Sequence, residues 1–145
     1  MVLRGVTSFD RETDFVVMGT GAGGLLAAIA AKDLGADVIV LEKAPVVGGT
    51  TAVSGGVIWI PTNPHMAEVG CTDDRQTAID YILLVGAGRS ERALVERYVD
   101  AGPEMVEWVE ANTSVRFEAL PTYPDYHPEL PGGKNGGRSL DNGLS

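Results

Sequence analysis

Blocks of apolar residues separated by glycines run through the first forty positions, and each block predicts one element. Residues 15–18 form a short apolar run, which is typical of a strand buried on both faces. Residues 25–34 are rich in alanine and leucine and predict a helix that ends at Gly35, because glycine readily takes the left-handed conformation of a helix C-cap. Residues 38–41 predict a second strand. The order strand, glycine turn, helix, strand predicts a βαβ unit with parallel strands and a right-handed crossover.

Two later segments carry apolar residues at helical spacing. Thr72 is the predicted N-cap of the first, followed by two aspartates that suit the positive end of the helix dipole. Ser90 is the predicted N-cap of the second, and we expect Gly102 and Pro103 to interrupt that helix. Residues 44–63 between the βαβ unit and these helices are too irregular for a helix and too apolar for a disordered linker. We therefore expect them to pack against the rest of the protein.

The C-terminal part of the sequence gives no further element. From Leu120 the chain is rich in Pro, Tyr, Asp, Gly and Asn, and we expect it to reach Ser145 without a closing strand or helix. A βαβ unit with two or three helices would leave its sheet with exposed edges, whereas dinucleotide-binding folds continue with further parallel strands. We therefore interpret the sequence as a truncated domain.

The composition of the sequence limits the classes of partner that we expect. The 145 residues carry a formal net charge of -9 and give a pI near 4.5. Such a protein does not attract phosphate backbones or anionic lipid, so we expect neither a nucleic-acid partner nor a membrane surface. Residues 15–31 are uncharged, but they are short for a membrane span and contain four glycines. We therefore predict no membrane span.

Cysteine usage and the N-terminus bear on location. Cys71 is the only cysteine, so the chain cannot form an internal disulfide, and no Cys/His group has the spacing of metal ligands. We predict no metal site and a reducing, cytoplasmic location. Residues 1–13 are a polar leader without the apolar segment of a secretory signal.

The strongest chemical signal is the motif G-x-G-x-x-G directly after the first predicted strand. Gly19 would permit the tight turn, Gly21 the approach of a pyrophosphate to the backbone, and Gly24 the close packing of helix on strand. Ala22 and Gly23 complete the turn, and backbone N–H groups at the start of the helix would bind the pyrophosphate. The motif alone is weak, and a glycine turn that binds nothing is the alternative interpretation.

An acid at the end of the second predicted strand strengthens the nucleotide interpretation. Glu42 is placed to accept hydrogen bonds from the ribose hydroxyls of an adenosine, and its charge disfavours the 2′-phosphate of NADP. Lys43 follows it directly and is counted with the same candidate site.

Residues 48–56, G-G-T-T-A-V-S-G-G, resemble a segment of the FAD-dependent oxidoreductase 2 family, which includes fumarate reductase flavoproteins and 3-ketosteroid dehydrogenases. The resemblance implies that this loop wraps the flavin diphosphate and ribityl chain. Its small residues allow close backbone approach, and its hydroxyls supply partners. Gly49 stands where covalent-flavin members carry histidine, so the resemblance implies non-covalent FAD. The cofactor-binding candidates in the loop are Gly49, Thr50, Thr51, Ser54, Gly55 and Gly56.

The predicted fold class is therefore α/β: a Rossmann-like FAD-binding βαβ unit with parallel strands and additional helices, forming an incomplete domain. We predict that residues 14–145 are the N-terminal part of an FAD-binding domain. The rest of that domain and a substrate domain are expected outside this sequence.

Two loops resemble 3-ketosteroid Δ1-dehydrogenases more narrowly. Residues 56–64 are similar to that subfamily's G-G-x-x-W-x-P-x-N-P stretch, and residues 120–129 to its loop containing P-D-Y. The resemblance implies that Tyr126 is catalytic and supports a second tyrosine acting as base, located beyond Ser145. A solvent-exposed loop tyrosine is the alternative interpretation. His127 is either a proton carrier or a hydrogen-bonded loop residue.

The function expected from these features is an FAD-dependent oxidoreductase. The resemblance implies that it dehydrogenates a steroid-like ketone by α-proton abstraction and hydride transfer to flavin, followed by reoxidation by an unidentified electron acceptor. A fumarate-reductase-like flavoprotein and a non-catalytic truncated FAD-binding module are the alternatives. The 145 residues alone are expected to be inactive.

Overall fold

The structure, a computed structural model, describes residues 9–143. Most of the predicted leader, residues 1–8, and residues 144–145 lie outside the described part. The chain divides into two compact units, Met1–Gly55 and Gly56–Ser145. Among residues 9–143, no helix is both long enough and apolar enough to cross a membrane.

The first unit is the predicted βαβ unit. It contains strand β1 (Phe15–Met18), helix α1 (Ala22–Asp33) and strand β2 (Val38–Leu41). The two strands are parallel, with Phe15 opposite Val38 and Met18 opposite Leu41. The helix starts three residues earlier than predicted. Its end is confirmed, since Gly35 follows it with φ +88° and donates its N–H to the Lys32 carbonyl.

Burial of β1 differs from the prediction. Only Val17 is buried, at 6% exposure, whereas Val16 is 53% and Met18 86% exposed. Within the described residues this sheet has two strands, and α1 packs on it. The expectation of burial on both faces is therefore wrong for this chain.

The second unit combines two helices with a small antiparallel sheet. Its elements are β3 (Ile58–Trp59), α2 (Arg75–Gly86), α3 (Arg92–Asn112), β4 (Phe117–Ala119) and β5 (Ser139–Asn142). The strand order is β3-β5-β4. The expectation that no strand follows Leu120 is therefore wrong, because β5 is the central strand of this sheet. Residues 44–63 also contain regular structure, namely a 3-10 turn at Thr51–Val53 and strand β3.

Two apolar clusters form the core of this unit. One joins α3 to the sheet, and the other lies between α2 and α3. The first contains Ile60, Val106, Ala119 and Leu140, and the second Ala78, Ile79, Val95 and Val99.

The helix starts in this unit correct the predicted caps. The N-cap of α2 is Asp74, whose carboxylate accepts the Thr77 N–H at 2.9 Å, and not Thr72. The N-cap of α3 is Glu91, without a side-chain bond, and not Ser90. In both cases the helix begins later than the first residue with a suitable side chain. A residue with a suitable capping side chain therefore predicts the start of these helices only to within one or two residues.

Helix α3 continues through Gly102 and Pro103, so the predicted interruption is wrong. Gly102 is buried, and a Cβ atom there would lie 2.9 Å from the Ile60 Cγ2 atom. The glycine therefore allows α3 to pack closely on the residue that follows β3. Burial of this contact outweighs the low helix propensity of the two residues.

Candidate functional site

The glycine turn lies between β1 and α1. Gly19 has φ +105°, a conformation that L side chains rarely adopt, and its N–H donates to the Leu41 carbonyl at 2.7 Å. A Cβ atom at Gly24 would lie 2.3 Å from the Gly19 carbonyl oxygen, so only glycine permits this contact of helix and turn. The turn thus needs glycine at both ends for reasons internal to the fold.

The start of α1 has room and free donors. A Cβ at Gly21 would find its nearest neighbour, the Thr51 hydroxyl, at 3.8 Å, and one at Gly23 would meet nothing within 4 Å. The Ala22 N–H donates to the Thr51 hydroxyl at 3.2 Å. Within the described part of the chain, the N–H groups of Gly23 and Gly24 have no acceptor. Two donors at the positive end of a helix dipole are therefore available to an anion.

Glu42 is held at the end of β2 by three hydrogen bonds. Its Oε2 accepts the Thr20 N–H at 3.0 Å and the Thr20 hydroxyl at 2.5 Å, and its Oε1 accepts the Ala44 N–H at 2.8 Å. The Ala44 N–H, followed by the Thr20 hydroxyl, lowers the pKa of Glu42 to about 2. A glutamate carboxylate is ionised at neutral pH. It has about four acceptor positions, and the hydrogen bonds from the described residues leave one of them unused, on Oε1.

A cleft lies at the carboxyl ends of the two parallel strands, the place where open α/β sheets bind ligands. It measures about 390 Å³. The residues that line it are Met18, Gly19, Leu41, Glu42 and Lys43. Glu42, the predicted ribose-binding residue, and the adjacent candidate Lys43 thus both line the cleft beside the glycine turn. A larger, open depression of about 610 Å³ on the side of α1 and β2 contains Lys32 and Asp33 but none of the predicted site residues.

Thr20 is part of this site and was missed by the sequence analysis. Its side chain is 5% exposed, and in addition to its bonds to Glu42 its hydroxyl accepts the Gly48 N–H at 2.8 Å. The signal was a hydroxyl residue at the variable position between the first two glycines of the motif. In the sequence that position looks free, because the motif assigns roles only to its glycines.

The loop that follows Gly48 folds back on the glycine turn. A Cβ at Gly49 would lie 3.6 Å from the Gly21 Cα, and Gly49 has φ +54°. Thr51 contacts the start of α1 as described, and the Ser54 hydroxyl donates to the Thr51 carbonyl at 2.8 Å. Thr50 and Gly55 are exposed. The predicted nucleotide and flavin loops are therefore adjacent within the first unit.

Gly56, the last loop candidate, belongs to the second unit. It has φ +79°, and a Cβ there would lie 2.7 Å from the Asn142 amide nitrogen. This glycine thus permits the approach of the Asn142 side chain at the end of β5.

A buried ionic cluster organises the second unit. Arg138, 1% exposed, donates to Asp73 at 2.7 and 2.8 Å and to Asp125 at 2.8 Å. Its guanidinium carbon lies 5.5 Å from the ring centre of Trp59 and 5.2 Å from that of Tyr81. The Trp59 indole N–H donates to Asp125 at 2.7 Å. These groups hold both aromatic rings in fixed positions.

The same two rings line an apolar cavity of about 380 Å³. Its wall consists of Trp59, Tyr81, Ile82, Val85, Gly86, Ser90 and Tyr126. Tyr126 is 100% exposed, and within the described residues its hydroxyl has no hydrogen-bond partner. Asp125, directly before it, is fixed by Arg138 and by the Lys134 N–H at 2.9 Å. The exposed phenol of Tyr126 therefore follows directly on a residue that is held in place by hydrogen bonds.

The two histidines have structural partners. His127 donates its backbone N–H to the Tyr81 hydroxyl at 3.3 Å, and its Nδ1 lies 3.2 Å from Glu129. His65 lies between two carboxylates, with Nε2 3.0 Å from Glu110 and Nδ1 3.3 Å from Glu68. Neither histidine lines the aromatic cavity. Within residues 9–143, no cluster of three or more His, Cys, Asp or Glu side chains could hold a metal ion.

Comparison with known proteins agrees with this geometry. The FAD binding domain family matches residues 14–141. The 4-oxocyclohexanecarboxylate 2-dehydrogenase of Sinomonas cyclohexanicum is 42% identical over 88% of this chain and 22% of its own length. The 3-oxosteroid 1-dehydrogenase of Mycobacterium tuberculosis is 41% identical over 90% of this chain and 23% of its own.

A solved structure gives the same result. The 3-ketosteroid delta1-dehydrogenase of Sterolibacterium denitrificans superimposes with a TM-score of 0.83 and 41% identity, covering 88% of this chain and 22% of that one. The chain therefore spans less than a quarter of the length of these relatives. It belongs to the FAD binding domain family, and its relatives include 3-oxosteroid 1-dehydrogenases.

Proposed function

We propose that this chain is the FAD-binding part of a dehydrogenase that introduces a double bond next to the ketone of an apolar cyclic substrate. The observation that carries the proposal is the cleft of the first unit, where an ionised Glu42 and free helix N–H groups face one glycine turn. Carboxylate and amide groups are the partners that a ribose and a pyrophosphate require.

The residues fit FAD by their own geometry. Glu42 keeps an acceptor position for a ribose hydroxyl, and the Gly23 and Gly24 N–H groups suit the pyrophosphate. The loop of residues 49–55 would bind the ribityl chain and flavin non-covalently. When bound, the flavin supplies the acceptor of a hydride.

The relatives and the aromatic cavity support this substrate class. The names of the two relatives describe dehydrogenases of a 4-oxocyclohexane ring and of a 3-oxosteroid. Both substrates are cyclic ketones. The cavity beside Tyr126, with Trp59, Ile82 and Val85 in its wall, offers the apolar surface that a saturated ring would contact.

We assign Tyr126 to the reaction itself. Loss of an α-proton to a base and of a hydride from the neighbouring carbon forms the double bond. A free phenol titrates near pH 10, so a tyrosine base needs a neighbouring group, and a second phenol is one such group. Tyr126 would supply that second hydroxyl, with the base and the donor to the ketone located elsewhere in the whole protein.

A dicarboxylate substrate has less support. Binding two carboxylates requires free cations, and Arg138, the buried arginine of the second unit, is fully engaged by Asp73 and Asp125. The NADH:fumarate oxidoreductase of Klebsiella pneumoniae is 32% identical over 68% of this chain. We propose further that the protein acts in the cytoplasm, in keeping with its single free cysteine.

The first test is flavin retention by the purified chain, measured as visible absorbance after free FAD is removed. We expect the wild type to retain flavin and Gly21→Val to lose it, because the new side chain occupies the space in front of the α1 amides. Ala93→Val on the exposed surface of α3 is the matched control, and circular dichroism checks that each variant is folded. Equal retention by wild type and Gly21→Val would contradict the proposed cradle.

A further inference from the structure

Thr20 occupies a position to which the glycine motif assigns no role, and yet its side chain links Glu42 to the loop at Gly48. It is buried, and its hydroxyl makes contacts in two directions. A hydroxyl has one proton to donate. Since the carboxylate of Glu42 can only accept and the N–H of Gly48 can only donate, the proton of Thr20 must point to Glu42.

The result is a short chain of hydrogen bonds with a fixed direction. The Gly48 N–H donates to Thr20 at 2.8 Å, and Thr20 donates to Glu42 Oε2 at 2.5 Å. The Thr20 N–H donates to the same oxygen at 3.0 Å. Bonds in such a chain strengthen one another, and those to an ionised acceptor are the strongest. Oε2 is thereby occupied, whereas Oε1 accepts one bond and, among residues 9–143, has one position left.

We propose that Thr20 is a positioning residue for FAD, which holds the Glu42 carboxylate in the orientation that accepts the adenosine ribose. The inference rests on the proposed FAD site. We do not expect Thr20 itself to contact the ribose. It acts through Glu42, and its lowering of the pKa of Glu42 agrees with that role.

The test measures the FAD dissociation constant of the chain and of three variants by fluorescence titration. Thr20→Val keeps the shape of the side chain and removes both hydroxyl contacts, so we expect FAD to bind about tenfold more weakly, as for the loss of a charge-assisted hydrogen bond. Thr20→Ser keeps the hydroxyl and should restore the wild-type constant. Thr13→Val is the matched control, because it removes a hydroxyl bond, to the Asp37 carbonyl at 2.6 Å, in the same unit but away from Glu42.

Two further measurements separate positioning from a general structural effect. In a Glu42→Gln background, Thr20→Val should cause no additional loss, because the group through which Thr20 acts is gone. In the wild type, FAD affinity should stay constant as the pH falls from 7 to 4, since the pKa of Glu42 is about 2. In Thr20→Val the pKa of Glu42 should rise, because the hydroxyl donor is lost while the N–H groups of Ala44 and of residue 20 remain, so FAD affinity should begin to fall at a higher pH than in the wild type.

The outcomes are distinct. A wild-type chain that binds no FAD would contradict the proposed function and, with it, this inference. Wild-type affinity in Thr20→Val, or additive losses in the double variant, would overturn the role of Thr20 alone. A third outcome is that Thr20→Val binds FAD more weakly, Thr20→Ser does not restore the affinity, and Thr20→Val still causes a loss in the Glu42→Gln background. This outcome would show a packing effect and would also overturn the proposed role of Thr20.

Discussion

The two units use their polar groups in opposite ways. In the second unit the buried charges satisfy one another: Arg138, Asp73 and Asp125 are joined by three short bonds. In the first unit, two amides at the start of α1 and one acceptor position on Glu42 have no partner among the described residues and can bind a ligand. Polar groups that are saturated internally fix a shape, whereas groups left with free capacity bind a ligand.

Tyr126 is an exception within the second unit. Its neighbour Asp125 is saturated and buried, whereas its own hydroxyl is exposed and unbonded among the described residues. The contrast between the two units is therefore repeated between two adjacent residues. This places a free phenol on a fixed backbone, which is the arrangement a catalytic group needs.

The largest expected effect comes from breaking the saturated cluster. Arg138→Met removes the guanidinium that neutralises two buried carboxylates, so we expect the second unit to lose about 3–5 kcal/mol of stability. Both tryptophans, Trp59 and Trp108, belong to this unit, so their fluorescence during urea unfolding reports on it.

Arg75→Met is the matched control for this variant. Arg75 pairs with Asp100 at 2.6 Å, but both side chains are about half exposed, and such a pair contributes little. A shift of the urea midpoint as small in Arg138→Met as in this control would contradict a structural role for the cluster.

Removal of a group that is free to bind a ligand should have the opposite effect to Arg138→Met. It should lower activity and leave stability unchanged. In the whole protein, we expect Tyr126→Phe to lower turnover of a cyclic ketone by about 100-fold, the lower end of what a general base contributes, because the base would lose its supporting hydroxyl. Its stability should not change, because the hydroxyl has no partner among the described residues. The measurement is steady-state kinetics at saturating substrate, together with flavin absorbance to show that FAD is retained.

Tyr123→Phe is the control for Tyr126→Phe. Tyr123 is an exposed tyrosine of the same loop, and it does not line the aromatic cavity. Equal losses of turnover in both variants would contradict a specific role for Tyr126. A loss of stability in Tyr126→Phe that Tyr123→Phe does not show would mean that the Tyr126 hydroxyl stabilises the fold.

The sequence allowed prediction of the first unit because its signals are local. The apolar run, the glycines and the end of α1 at Gly35 lie within one stretch, and backbone conformation explains each of them. The cluster around Arg138 has no local signal, because its partner Asp73 is 65 positions away. Charged residues are usually exposed, so no pattern marks these as buried. The helical course through Pro103 was likewise set by packing and not by local propensity.

The smallest expected change in stability concerns a polar side chain that bonds only within its own helix. Asp74 caps α2 by accepting the Thr77 N–H, and the Thr77 side chain and N–H lower its pKa. A group whose pKa is lowered by folding contributes stability above its unfolded pKa and loses it as the pH falls. We therefore expect Asp74→Ala to lower the urea midpoint at pH 7 and the difference from wild type to shrink below about pH 4. Thr72→Ala, at the cap predicted from sequence, should leave the midpoint unchanged at both pH values. A larger loss in Thr72→Ala than in Asp74→Ala would show that the helix starts where the sequence pattern suggested, and that α2 is capped by a hydroxyl whose contribution does not depend on pH.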